Sequence, residues 1–179
     1  MPDQRLSAET FEELALPLFD QLYNFAHWLT HDGPEAEDLV QETYVKALRG
    51  FSGFQLGTNF RAWMFRILRN TFLTSRTGLK STAIGDEEVD FEQIPAAVPN
   101  PESALIAQAN RELVRQGLAD LPLPYREILL LCEVEEMSYE EIAQVLAVPV
   151  GTVMSRLYRA RRALRTLLAE KFKGAPNGL

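Results

Sequence analysis

This 179-residue chain holds a single cysteine, Cys132. A lone thiol closes no internal disulfide and builds no cysteine-rich zinc site. It sits in the apolar run Ile128-Leu129-Leu130-Leu131-Cys132, which fits a small buried hydrophobe better than a redox sensor. Histidine is scarce too. His27 and His31 stand at helical spacing but lack a third ligand and a general base, so no metal site and no enzymatic activity are expected. There is no Gly-rich phosphate loop, and no cofactor is expected. No apolar run approaches the roughly 20 residues of a bilayer span, which argues against membrane insertion. The opening residues MPDQRLSAETFEE lack a basic stretch followed by an apolar one, so a secretory leader is not expected and a cytoplasmic location is.

Hydrophobic residues make up 46% of the chain, enough for a packed core. The formal net charge of −7 argues against nucleic acid, but the distribution argues for it. From Arg61 to Lys80 every charge is positive. From Gly151 to Lys173 Glu170 is the one acid among Arg156, Arg159, Arg161, Arg162, Arg165, Lys171 and Lys173. Acids gather in the N-terminal third, in 86–92 and in 127–141. Phosphate binding follows local potential more than the total, so two basic segments suggest two nucleic-acid contacts. The acidic remainder fits either a basic protein partner or a solvated surface.

Helical periodicity dominates, and the expected fold is all-α. Helices are expected from about Ser7 to Thr30 with a break at Pro17, from Pro34 to Arg49, and from Phe60 to Ser75. A stretch with Gly78, Gly85, Pro95 and Pro99 and no sustained period follows. Further helices are expected from Pro101 to Leu121, Pro124 to Glu133, Tyr139 to Leu146, and beyond Gly151 to Phe172. Ser138-Tyr139-Glu140-Glu141 has the form of a capping box. This gives two small helical domains, 1–76 and 101–179, joined by a flexible linker, 77–100.

The C-terminal pair of helices, the second strongly basic, makes a helix-turn-helix candidate. Val153, Leu157, Ala160, Leu164 and Leu167 form one apolar stripe. Thr152, Ser155, Arg156, Arg159 and Arg162 lie opposite, where arginines can pair with guanine and hydroxyls can reach phosphate. A solvated basic face has the same pattern. The capped short helix, the Pro/Gly turn and the arginine density favour DNA.

The segment Asn59–Phe72 combines aromatics with Arg and Asn, after a loop holding Phe51 and Phe54. Aromatics can stack on unpaired bases while arginine holds the backbone, which points to single-strand capture. Arg66 and Asn70 share a helical face. Phe60, Trp63, Met64 and Ile67 fit a core role better for the most part, with Trp63 at least partly structural, and the loop aromatics and the Arg66/Asn70 face are the better functional candidates. On the helix from Glu35 to Arg49, Asp38, Gln41, Glu42 and Val45 lie opposite the apolar side. They fit a partner surface and a solvated face equally.

These residues resemble the extracytoplasmic-function branch of the sigma-70 family over nearly the whole chain. Asp32–Tyr44 looks like regions 2.1–2.2, Phe60–Thr71 like regions 2.3–2.4, Leu121–Leu131 like region 4.1, and Tyr139–Ala143 with Gly151–Arg162 like region 4.2. The Gly57-Thr58-Asn59 approach to Trp63 and the Gly151–Arg156 string are most similar to sigma-R-like members. The resemblance implies a transcription initiation factor in a stress response, with RNA polymerase core and promoter DNA as partners. It implies that Asp38, Gln41, Glu42 and Val45 face the beta-prime clamp helices. It also implies that Phe51, Phe54, Asn59, Arg61, Trp63, Arg66 and Asn70 hold unpaired −10 bases. Thr152, Met154, Ser155, Arg156, Tyr158, Arg159 and Arg162 would read the −35 element, their domain docked on the beta flap. Some relatives carry Arg where this chain has Met154. An anti-sigma factor is implied as a further partner, in sigma-R-like members often one containing zinc. The competing reading is a stand-alone helix-turn-helix regulator that needs no polymerase.

Overall fold

The computed structural model describes residues 4–77 and 111–174. Apart from Thr77, the linker expected at 77–100 lies outside the described residues, as does the helix start expected at Pro101. Among the described residues every regular element is helical. Helix α1 spans Gln4–Ala15, α2 Phe19–Thr30, α3 Gly33–Gly50 and α4 Phe60–Thr77. After residue 110 come α5, Arg111–Asp120; α6, Leu123–Leu129; α7, Tyr139–Leu146; and α8, Val150–Gly174. No helix among the described residues is long and apolar enough to cross a membrane.

Local chemistry sets the breaks. Pro17 has no N–H to donate, and the chain passes from α1 to α2 through a short 3₁₀ turn, Leu16–Leu18. Helix α2 ends where His31 turns left-handed at φ 56° and its N–H bonds the His27 carbonyl. Asp32 then caps α3, its Oδ1 accepting the Glu35 N–H at 2.8 Å. The expected capping box forms. Ser138 Oγ accepts the Glu141 N–H, and the Glu141 carboxylate accepts the Ser138 N–H.

The first unit packs α1 to α4 around Leu22, Phe25, Val40, Met64, Phe65 and Leu68, all fully buried. Burying each such large side chain stabilises by about 1.5–3 kcal/mol. The second unit closes α5 to α8 around Leu121, Ile128, Leu131, Ile142, Val145, Val153 and Leu157. Gly117 lets α5 press against α8. A Cβ there would lie 3.1 Å from Leu168 Cδ2 and 3.2 Å from Leu164 Cδ1.

The periodicity predicts one continuous helix from Pro124 to Glu133. The structure instead turns to a π-helix at Leu130–Val134, where the Glu135 N–H reaches the Leu130 carbonyl. Residues 127–131 are all buried, and five consecutive positions sweep more than a full turn of helix. This segment is therefore covered on every side: by its own unit on one flank and, through Glu127, by α4 on the other.

Candidate nucleic-acid interface

Helix α8 buries Val153, Leu157 and Ala160 and turns the opposite face outward. On that face Met154 is 55% and Tyr158 52% exposed, and Ser155 is exposed. Thr152, Arg156, Arg159 and Arg162 are half-exposed beside them. The Ser155 hydroxyl donates to the Thr152 carbonyl at 3.1 Å. Arg161 belongs to a different surface. Its guanidinium bonds Glu133 at 2.7 and 3.1 Å and lies 3.7 Å from Cys132 Sγ. Cys132 is half-buried. Burial pushes its thiol pKa up, Glu133 adds to this, and Arg161 opposes it.

The second candidate surface lies at the start of α4. The structure separates the two loop aromatics. Phe51 is buried, edge-on to Phe11 and Phe60, and is a core residue and not an exposed stacking platform. Phe54 is half-buried and packs on Trp63 at 4.9 Å, and Trp63 in turn rests over Gly50. Phe54, Trp63, Asn59, Arg66 and Gln144 of α7 line a cleft of about 370 Å³. Arg66 and Asn70 are exposed, one turn apart on α4.

Asn59 and Arg61 are engaged inside the molecule. Asn59 caps α4, its Oδ1 accepting the Ala62 N–H at 2.9 Å, while its Nδ2 donates to Glu141 Oε1 at 2.8 Å. Arg61 donates to Gln21, to the Glu135 carbonyl at 2.6 Å and to the Glu135 carboxylate at 3.3 Å. Arg69 donates to both oxygens of Glu127, at 2.8 and 3.0 Å. Arg126 of α6 meets the His31 ring. Burial, then the neighbouring Arg126, holds the His31 pKa below its usual value.

On α3, Asp38, Gln41, Glu42 and Val45 are all exposed. Glu42 pairs with Lys46 at 2.8 Å. Leu48, one turn beyond Val45, is half-exposed and extends the apolar part of the face. Sequence reasoning passed over Leu48, and also over Gln144 and the contacts that Glu127, Glu135 and Glu141 make with the first unit. A leucine at i+3 from an outward valine was the available signal for the first. Nothing local marked these pairings, because the partners of the three carboxylates lie 58 to 82 positions away in sequence and Gln144 meets its cleft neighbours from another helix.

Two helical units in sequence, the second ending in a helix-turn-helix with arginines on its outer face, define a two-module helix-turn-helix protein. Residues 17–82 match sigma-70 region 2, and residues 111–164 match sigma-70 region 4. The RNA polymerase sigma-H factor of Pseudomonas aeruginosa is 34% identical over 178 residues, covering 93% of this chain and 92% of that protein. The ECF RNA polymerase sigma factor SigE of Mycolicibacterium smegmatis is 35% identical over 164 residues; 90% of this chain aligns with 62% of that longer protein. Among solved structures, the sigma factor RpoE of Bartonella quintana, in complex with the anti-sigma factor NepR, superposes with a TM-score of 0.65 at 30% identity, covering 90% and 98% of the two chains. CnrH, in complex with the cytosolic domain of CnrY, gives 0.66 at 26% identity, covering 94% and 97%. The chain belongs to the sigma-70 family and is a sigma factor of the extracytoplasmic-function (ECF) type.

Proposed function

We propose that this chain brings core RNA polymerase to promoters through two readers and initiates transcription by binding energy alone. The first unit holds unpaired −10 bases with Phe54, Trp63, Arg66 and Asn70, joined by Asn59 and Arg61 once these are released. Helix α8 lies in the major groove at −35, with Thr152, Met154, Ser155, Arg156, Tyr158, Arg159 and Arg162 toward the DNA. Asp38, Gln41, Glu42 and Val45, with Leu48, grip the beta-prime clamp helices, and the second unit docks on the beta flap. The observation that carries this reading is the order of the two family matches, region 2 before region 4, over a basic helix face in each unit.

An anti-sigma factor restrains the chain until a stress signal arrives. The complexes of RpoE with NepR and of CnrH with CnrY support this partner. A zinc-containing anti-sigma follows from the likeness to sigma-R-like members. The place of action is the cytoplasm. Run-off transcription with purified core polymerase on a promoter library tests the reading. New start sites that depend on this protein are expected; an unchanged start-site profile overturns it. Specific duplex binding without polymerase would instead identify a stand-alone regulator.

A further inference from the structure

We propose that Met154 and Tyr158 form an apolar strip on α8 that reads the C5 methyl groups of thymines in the −35 duplex. The inference rests on the −35 role given to α8 above, and adds to it the base chemistry that these two residues select.

At about 3.6 residues per turn, the outward face of α8 has two flanks. Thr152, Arg156 and Arg159 follow one another along one flank. Met154 and Tyr158, one turn apart, form the other. Ser155 stands on the ridge between them, its hydroxyl already donating to the Thr152 carbonyl. A single exposed hydrophobe on a surface is ordinary. Here two of them, each more than half exposed, meet on a face that otherwise carries glycine, hydroxyls and arginines. Gly151, one turn before Met154, adds no side chain, and a Cβ placed there would meet nothing within 4 Å. The strip is therefore open at its leading end. At its far end stands Arg161, which Glu133 holds at 2.7 Å. Between these ends the strip carries no charge.

Thymine alone among the four bases places an apolar group in the major groove, its C5 methyl. Guanine, adenine and cytosine present only acceptors and amino donors there. The methionine thioether is flexible and has no strong donor or acceptor, so it can seat on a methyl without stranding a polar group of its own. The Tyr158 ring adds an apolar face whose hydroxyl can stay in water. Over the amino group of cytosine or adenine the same strip would bury a donor without a partner, which costs affinity. The strip thus favours thymine twice, by covering its methyl and by rejecting the amino groups. The arginines of the opposite flank suit guanine. The −35 element that this chain selects then holds one or two thymines beside a guanine.

Holoenzyme put to a duplex library randomised over the −35 window tests this. The preferred duplex is then resynthesised with each thymine in turn replaced by deoxyuridine, which lacks only the C5 methyl. The unaltered chain is expected to enrich at least one thymine whose methyl loss weakens binding about four-fold by fluorescence anisotropy, the worth of one buried methyl. In Met154→Ala or Tyr158→Ala that methyl dependence should largely disappear. Both side chains are exposed, and an unchanged melting temperature shows that the variants fold. Met154→Arg should move the library preference at its position from thymine to guanine. Enriched guanines without a thymine, a deoxyuridine that costs nothing, or a methyl dependence that survives both alanine variants overturns the proposal and leaves the −35 reading standing. Weaker holoenzyme assembly in the alanine variants, with methyl dependence intact, would give the strip to polymerase instead. If no −35 sequence is enriched at all, the −35 reading falls and the proposal with it.

Discussion

The rings of Phe51 and Phe54 stack at 6.0 Å and 13°, yet only Phe54 reaches the surface. Phe51 is held by Phe11 and Phe60 behind it. Phe51→Ala is therefore expected to cost about 3–5 kcal/mol of stability, as large core truncations do. Phe54→Ala should cost clearly less stability, but about 1–3 kcal/mol of affinity for single-stranded −10 DNA, the usual worth of one stacked base. Urea denaturation and oligonucleotide titration of the two variants separate the roles. Equal stability losses would place both rings in the core.

That division shows where the sequence was readable. The period of α8 marks Val153, Leu157 and Ala160 as its inner face, and they are buried. Ser138 and Glu141 announce their capping box by spacing alone. Local rules work for such features because the interacting groups are neighbours in the chain. Phe51 and Phe54 differ by three positions in one loop, and only Phe11, some forty residues earlier, decides which is buried. Likewise Glu127 looks like one acid of many. Its burial follows from Arg69, 58 positions away, which no periodicity reports.

Arg69 leaves Glu127 one long-range partner for both carboxylate oxygens. Arg69→Ala strands a buried charge, and a loss of about 3–5 kcal/mol is expected if the units stay packed. Replacing both members, Arg69→Met with Glu127→Leu, removes the charge and keeps the volume. That double variant should recover most of the loss in thermal or chemical denaturation. A double variant as unstable as Arg69→Ala would show that the pair is not the cause.

Acid should act on the two units' contact through Glu141. The hydrogen bond from Asn59, then the Ser138 N–H, holds its carboxyl below the usual value of 4.5. A carboxylate depressed in the folded state contributes stability above its unfolded pKa and loses it as pH falls through the folded value. Glu135 has the opposite sign. Burial outweighs Arg61 and raises it, so its share is present at low pH and fades as pH rises. The difference between the unaltered chain and Glu141→Gln isolates the first effect. It should be largest near neutrality and shrink as pH drops below the ordinary carboxylate range. A pH-independent difference would mean that the ionised form of Glu141 plays no part.

Ala147 ends α7 in the left-handed region at φ 54°. A Cβ there is strained by roughly 1–2 kcal/mol, and glycine escapes the clash. Ala147→Gly is expected to stabilise the second unit by about 1 kcal/mol and raise its melting temperature. It should leave the outer face of α8 as it is. A lower melting temperature would mean that the Ala147 methyl contributes more than the strain costs.

The arginines of α8 can serve as phosphate anchors or as base readers, and salt distinguishes the two. Removing one phosphate anchor lowers the slope of log affinity against log salt by about 0.9, with little change in sequence preference. Removing one base reader costs about 1–3 kcal/mol and relaxes specificity at one position, leaving the slope nearly intact. Arg156 lies within one turn of Met154 and Ser155 on the outward face, Arg159 follows about one turn beyond Ser155, and Arg162 is nearly a further turn along. Major-groove helices touch bases with their first turns. Arg156→Ala is therefore expected to relax −35 specificity at one position, and Arg162→Ala to lower the salt slope. Holoenzyme binding to a −35 library at several salt concentrations measures both. If Arg162→Ala changed base preference and Arg156→Ala changed only the slope, the helix would lie in the groove the other way along its axis.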